Sequence, residues 1–339
     1  MSKKRGIGLL SKRRPLRGRT ISFEICQRGE TGIEVVEPTA LGAPLFFEFL
    51  TPLWNFANQR LVSILNLSGY RFVSLEAVEA LRDRLYQLGS DRGIKGSILL
   101  AKEGINAFLA GPVSSVEAFA EDLRKFSEFE NLEFQKTWSK SNPFKKFFVR
   151  VKREIVTIRC PEIDPINDGA RRIDAEDFKK LLDQGEDLIV LDARKDFEYR
   201  MGHFQGAINL KLDHFSRFPE VLQSFPEEWK KKKIVTYCTG GIRCEKAAPL
   251  MRKHGFENVL QLEGGILKYF EKCQGEHFEG SCFVFDHRVA VNKNLEVVKD
   301  LECRSCRGII ERSEENLVEP GLLQLCARCQ EENPSCPDQ

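Results

Sequence analysis

The decapeptide Cys238-Thr239-Gly240-Gly241-Ile242-Arg243-Cys244-Glu245-Lys246-Ala247 carries the residue types best suited to chemistry in this chain. The short apolar run Ile234-Val235-Thr236-Tyr237 precedes it and a helical pattern follows, so Cys238 falls at a strand-to-helix turn. Backbone N–H groups converge on an anion at such a turn. Those dipoles and Arg243 favour the thiolate, the nucleophilic form of cysteine. Gly240 and Gly241 let the chain turn with its N–H groups inward and no Cβ in the way. The expectation is an activated thiol in an anion cradle built from Thr239, Gly240, Gly241, Ile242 and Arg243. Cys244 is either a weak cap of the following helix or a resolving thiol for an oxidised Cys238. Asp192 and Arg194, at a neighbouring strand end, are expected to form an ion pair that supports the loop, with direct substrate contact as the alternative.

Two further groups have chemical potential. Cys303-x-x-Cys306 and Cys326-x-x-Cys329 are separated by nineteen residues. Each pair chelates from a tight turn and four sulfurs complete a tetrahedron, which points to structural zinc; free thiols or a redox relay are the alternatives. Zinc would stabilise an appendage too small for a core of its own. Lys145, Lys146, Arg150 and Lys152, with Lys140 and Arg153, form a basic stretch interleaved with Phe144, Phe147 and Phe148. It reads equally as phosphate contacts with stacking aromatics or as a solvated strand face over core phenylalanines.

These groups sit in a chain of 339 residues, enough for two or three domains, with 42% hydrophobic and 30% charged residues. The net charge of +2 confines any basic surface to a local patch. No apolar run is long enough to span a bilayer, because residues 41–62 are interrupted by Glu48, Asn55, Asn58 and Arg60. Eleven cysteines without a secretory signal suggest catalysis or metal binding in the cytoplasm. The first twenty residues carry eight Lys and Arg and no acid. They are a solvated tail, a nucleic-acid arm or an organelle-targeting segment.

The positioning elements follow from periodicity. Residues 60–160 read β-α-β-β-α-β, with Ser74 expected to cap the first helix and Ser114 with Glu117 forming a capping box for the second. That order describes a ferredoxin-like, split βαβ domain. A turn-rich linker over 160–169 ends it. From 170 to 275, apolar strands at 188–191, 207–210, 234–237 and 259–262 alternate with helices, an α/β pattern with a parallel sheet. The division is therefore 1–58 basic extension, 59–160 ferredoxin-like (acylphosphatase-like) domain, 165–275 α/β domain and 276–339 cysteine-rich tail.

Three motifs in order make the α/β domain resemble a rhodanese domain. They are Asp192-Ala193-Arg194 followed by Phe197-Glu198-Tyr199 and Gly202-His203-Phe204-Gln205-Gly206-Ala207-Ile208-Asn209, the loop Cys238–Arg243, and Gly255-Phe256-Glu257-Asn258-Val259 leading to Leu262-Glu263-Gly264-Gly265. The resemblance implies a six-residue loop sized for sulfur, where phosphatase-like relatives carry one residue more. Leu100-Ala101-Lys102-Glu103-Gly104-Ile105-Asn106, the full decapeptide and Phe283-Val284-Phe285-Asp286 together resemble the bacterial-type tRNA uridine 5-hydroxylase family. That resemblance runs from about residue 60 onward, and the tail departs from the family's usual length. It implies oxygen-dependent hydroxylation of the wobble uridine in the anticodon loop, with molecular oxygen as co-substrate and the loop cysteine essential. No organic cofactor motif is visible. The rivals are a sulfurtransferase served by a sulfur donor, and a non-enzymatic RNA- or protein-binding adaptor.

Overall fold

The structure is a computed structural model that describes residues 64–169 and 171–298, with backbone strands at 301–302 and 309–310. The first domain runs β1 (Ile64–Phe72), α1 (Val78–Asp91), β2 (Lys95–Ala101), β3 (Gly104–Gly111), α2 (Val113–Arg124), β4 (Gln135–Ser139) and β5 (Phe147–Val151). Its sheet has the order β4-β1-β3-β2-β5. The first four strands are antiparallel neighbours in the split βαβ arrangement, and β5 adds to the edge in parallel with β2. Period-two alternation sends Leu65, Leu67, Ile98, Leu100, Ile105, Ala107 and Leu109 into a core with α1 and α2. The same alternation leaves Ser68, Tyr70, Ser97, Leu99, Asn106, Phe108 and Gln135 on the other face.

Both expected caps fail. α1 starts after Ala77, which adopts φ 47°, and α2 starts after Pro112, so Ser114 already lies inside the helix. Pro112 takes the boundary because its ring fixes φ and cannot continue a preceding helical ladder.

The second domain contains β6 (Arg171–Ile173), α3 (Ala175–Asp183), β7 (Leu188–Asp192), α4 (Asp196–Met201), β8 (Gly202–Phe204), β9 (Ile208–Asn209), α5 (Phe218–Leu222), β10 (Lys233–Tyr237), α6 (Cys244–Lys253), β11 (Asn258–Leu262) and α7 (Gly265–Cys273). The main sheet, β6-β11-β10-β7-β9, is parallel throughout. Its central strand β10 is covered on both faces. Ile234 packs with Leu250 and Met251 of α6, while Val235 and Tyr237 pack with Phe178, Ile266 and Phe270. This explains the unbroken apolar reading of that strand. The edge strand β6 escaped prediction because it is the half-exposed tripeptide Arg-Arg-Ile.

Beyond Glu276 periodicity weakens, yet residues 278–295 stay packed on the second domain. β12 (Phe278–Gly280) pairs with β8, and β13 (Cys282–Phe283) pairs with β14 (Ala290–Val291). Cys282, Val284 and Val291 complete the core between sheet and α7. Strands this short carry too few alternations to register as a pattern. No helix among the described residues is long and apolar enough to cross a membrane.

Candidate active site

Cys238 follows the carboxyl end of β10, and α6 begins six residues later. The Gly241 N–H donates to the Cys238 Sγ at 3.1 Å, and the Cys244 N–H donates to the Gly241 carbonyl at 3.0 Å, closing the turn. Gly241 has φ 97°, a left-handed conformation that favours glycine. A second element braces the loop from outside. The N–H groups of Ile266 and Leu267 at the start of α7 donate to the carbonyls of Cys238 (3.0 Å) and Thr239 (3.1 Å). A Cβ on Gly265 would stand 2.3 Å from the Cys238 oxygen, so the Gly264-Gly265 motif is what lets α7 dock there.

Burial pushes the Cys238 thiol up, but four groups outweigh it. The Cys244 thiol, the Arg243 guanidinium and the N–H groups of Arg243 and Gly241 hold it down to about 6. Their combined pull favours the thiolate form of Cys238. Burial, followed by the neighbouring Cys238, pushes Cys244 upward, so Cys244 remains the protonated donor of the pair. Both are free thiols, and Cys244 is the first residue of α6 rather than its cap.

The Arg243 guanidinium is held by a bidentate pair with the fully buried Glu198 at 2.9 and 3.0 Å. It is a fixed charge at the cradle, not a free arm. Asp192 and Arg194 form the expected pair at 2.7 and 3.0 Å, both almost fully buried. The guanidinium of Arg194 lies 5.6 Å from the ring centroid of Tyr237, the residue before Cys238, which transmits its support to the loop.

A cleft of about 1150 Å³ opens over Cys238, and part of the helix-free sheet face of the first domain forms its opposite wall. Tyr70 Oη donates to Glu245 at 3.0 Å, and Arg172 donates to the same oxygen at 2.9 Å. Burial, then the charges of Glu245 and Cys238, keep the Tyr70 phenol protonated. Gln135 Nε2 donates to the Gly264 carbonyl, tying β4 to the brace behind the loop. Lys246, 2% exposed, donates to Glu103 (2.9 Å), Glu154 (2.7 Å) and the Val156 carbonyl (2.9 Å). Burial opposes ionisation of Glu154, but Lys246 and the N–H groups of Ile158 and Arg159 hold its carboxyl below the ordinary value. Phe285 closes one side of the cleft, with the Arg243 guanidinium 5.3 Å and the Phe108 ring 6.0 Å from its centroid.

The structure thus gathers Cys238, Thr239, Gly240, Gly241, Ile242, Arg243 and Cys244 at one site, with Asp192 and Arg194 behind it. Lys145, Lys146, Arg150 and Lys152 are exposed in or beside β5, at the far edge of the facing sheet. Sequence reasoning passed over Tyr70 and Gln135 and, although Glu198, Glu245 and Lys246 stand in the quoted motifs, assigned those three no role. The signal for Glu245 and Lys246 was their place directly after the loop, and for Glu198 its place in Phe197-Glu198-Tyr199. Among the described residues no group of three His, Cys, Asp or Glu side chains is placed to hold a metal. Cys303, Cys306, Cys326 and Cys329 lie outside the described residues, as does the basic extension over residues 1–58.

Comparison with known proteins accounts for both walls. Residues 64–155 match the model of an acylphosphatase-like domain family (UPF0176), and residues 174–272 match the rhodanese-like domain. A tRNA uridine(34) hydroxylase of Cupriavidus necator is 41% identical over 273 residues, covering 79% of this chain and 97% of that protein. A protein of the same name from Burkholderia mallei is 43% identical over 279 residues, covering 79% and 93%. Among solved structures, a rhodanese-like domain from Anabaena is 30% identical, covers 32% of this chain and 78% of its own, and superposes with a TM-score of 0.27. With relatives matched along nearly their whole length at more than 40% identity, the chain belongs to the tRNA uridine(34) hydroxylase family.

Proposed function

We propose that this protein is an RNA-modifying enzyme that hydroxylates C5 of the wobble uridine of tRNA, with Cys238 as its essential thiol. The observation that carries this reading is the Cys238 loop at the floor of a cleft whose other wall is the sheet of the first domain. That wall offers Tyr70, Phe108 and Gln135 to a nucleotide-sized substrate, more surface than a small sulfur donor would occupy. Converting C5–H to C5–OH inserts one oxygen atom. In this reading molecular oxygen supplies it, and the second atom leaves as water with two electrons and two protons from an external reductant.

The test is nucleoside mass spectrometry of tRNA from a strain lacking its own uridine hydroxylase. The wild-type chain restores 5-hydroxyuridine, carrying 18O when grown under labelled oxygen, and Cys238→Ala does not. Restoration by Cys238→Ala would exclude the thiol from the chemistry. An unrestored pool in the presence of wild-type protein favours the second reading, sulfur transfer from a persulfide or thiosulfate donor, for which the six-residue loop is equally well sized. The four tail cysteines Cys303, Cys306, Cys326 and Cys329 are proposed to hold one structural zinc, carried by their spacing. Metal analysis of the full chain should give one zinc per molecule, lost in Cys326→Ser.

A further inference from the structure

The sheet face that walls the cleft continues past it to the domain's outer edge. Register places Gln135, Ser68, Phe108, Ser97 and Phe148 in one row across β4, β1, β3, β2 and β5. A second row runs Tyr70, Asn106, Leu99 and Arg150, with Asn106 buried and donating to the Ile155 carbonyl at 3.3 Å, so the open path follows the first row. The Gln135 and Tyr70 ends meet the Cys238 loop: a Cβ on Gly241 would lie 2.9 Å from Tyr70 Oη, and one on Gly240 would lie 3.8 Å from Gln135 Oε1. At the other end Phe148 is 39% exposed and the Arg150 guanidinium stacks 4.8 Å from its ring centroid.

β5 extends its ladder at both ends, through Gly96 N–H to the Lys146 carbonyl (3.0 Å) and Lys152 N–H to the Leu100 carbonyl (2.7 Å). Alternation therefore brings Lys146, Phe148, Arg150 and Lys152 to the same face, all exposed, while Phe147 and Val149 turn to the core. Charge alone would serve to deter strand pairing at an edge. It gives no reason for an exposed phenylalanine stacked with an arginine in line with the cleft.

We infer that this face is a track for single-stranded RNA, in which a base flanking the reacting uridine stacks on Phe148 and Arg150 while Lys146, Arg150 and Lys152 meet phosphates. The inference rests on tRNA being the substrate and adds how the anticodon loop is held. Split βαβ sheets that bind single-stranded RNA do so with aromatics on the open face. The span from β4 to β5 is four strand spacings, about 19 Å. At roughly 3.4 Å per stacked nucleotide and up to about twice that when splayed, the track holds on the order of three to five nucleotides. The same row supplies Phe108 midway, inside the cleft.

The probe is a 17-nucleotide anticodon stem-loop RNA with uridine at position 34, titrated against the full chain by fluorescence anisotropy at several salt concentrations. Phe148→Ala should weaken binding about tenfold, the scale of one lost stacking contact, and Phe148→Tyr should restore it. Arg150→Ala should lower the slope of log Kd against log salt by about one, as should Lys152→Ala. Lys231→Ala, before the opposite end of β10 from Cys238, should change neither. Binding of Phe148→Ala within twofold of wild type, or unchanged salt slopes in the basic variants, would overturn the track. The strain assay separates the two failures. If wild-type protein restores 5-hydroxyuridine and Phe148→Ala restores it equally well at limiting expression, only the track is wrong. If wild-type protein restores none, the substrate itself is wrong.

Discussion

The thiol-bearing wall of the cleft is built largely from backbone, whereas the wall facing it is built from side chains. Around Cys238 the N–H groups of Gly241 and Arg243, and the α7 start behind them, set geometry and charge. Side chains enter there as the Cys244 thiol and the Arg243 guanidinium, which add to the backbone's hold on the thiolate, and as the ion pairs that keep the loop still. Across the cleft, Tyr70, Phe108 and Gln135 project from three strands of a sheet that would be an ordinary solvated face without the second domain. Backbone cradles stabilise an anion whatever its neighbours, because their dipoles are fixed by the turn. Side-chain walls select a substrate by shape and stacking. The two walls should therefore respond to different perturbations, one through the pH dependence of the thiol and the other through stability and RNA affinity.

The sharpest break of that division is Glu198→Gln. It leaves Arg243 buried without its carboxylate, and unfolding free energy should fall by about 3 kcal/mol in urea titrations. A change under about 0.5 kcal/mol would mean that the loop does not depend on this pair. Lys246→Met comes next. It removes the cation that joins the helix after the loop to Glu103 and Glu154. Because those carboxylates keep some solvent, the loss should be nearer 2 kcal/mol. It should leave the pH profile of Cys238 in place, since Lys246 belongs to the interface rather than the cradle.

The thiol itself provides the third test. Iodoacetamide alkylation of Cys238 should titrate with a midpoint near 6. Its folded value lies below the ordinary 9.0, so ionisation stabilises the fold fully above about pH 9 and that contribution is lost as pH falls to about 6. Cys238→Ala should remove that part of the stability slope. Cys244→Ala takes away the S–H donor and should raise the midpoint by less than about one pH unit, a bond worth about 1 kcal/mol. A midpoint that stays at 6 would show that the backbone and Arg243 suffice. The smallest effect belongs to Tyr70→Phe, because Glu245 retains Arg172. About 0.5–1 kcal/mol of stability should go, with little movement of the thiol profile.

Legibility followed the same line. The cradle was readable because a strand-to-helix turn is a local event, and Cys238, the glycines and Arg243 lie within six residues. The split βαβ order was readable for a similar reason: each strand is long enough to show alternation. The helix starts were misjudged where Ser74 and Ser114 offered cap chemistry but Ala77 and Pro112 set the boundaries. The basic stretch divided only once β5 gave its parity, with Phe147 in the core and Phe148 outside. Nothing in the composition of that stretch says which phenylalanine faces which way.

The sequence by itself determined the thiol, its glycine turn and the two domain types, because those depend on neighbours in the chain. Only the tertiary structure decided that Arg243 is locked to Glu198, that Lys246 is buried between two carboxylates, and that Tyr70 and Gln135 overhang the loop. These partners are separated by 45 to 175 positions in the chain. Contacts of that range arise from sheet register and domain docking, and periodicity carries no record of either.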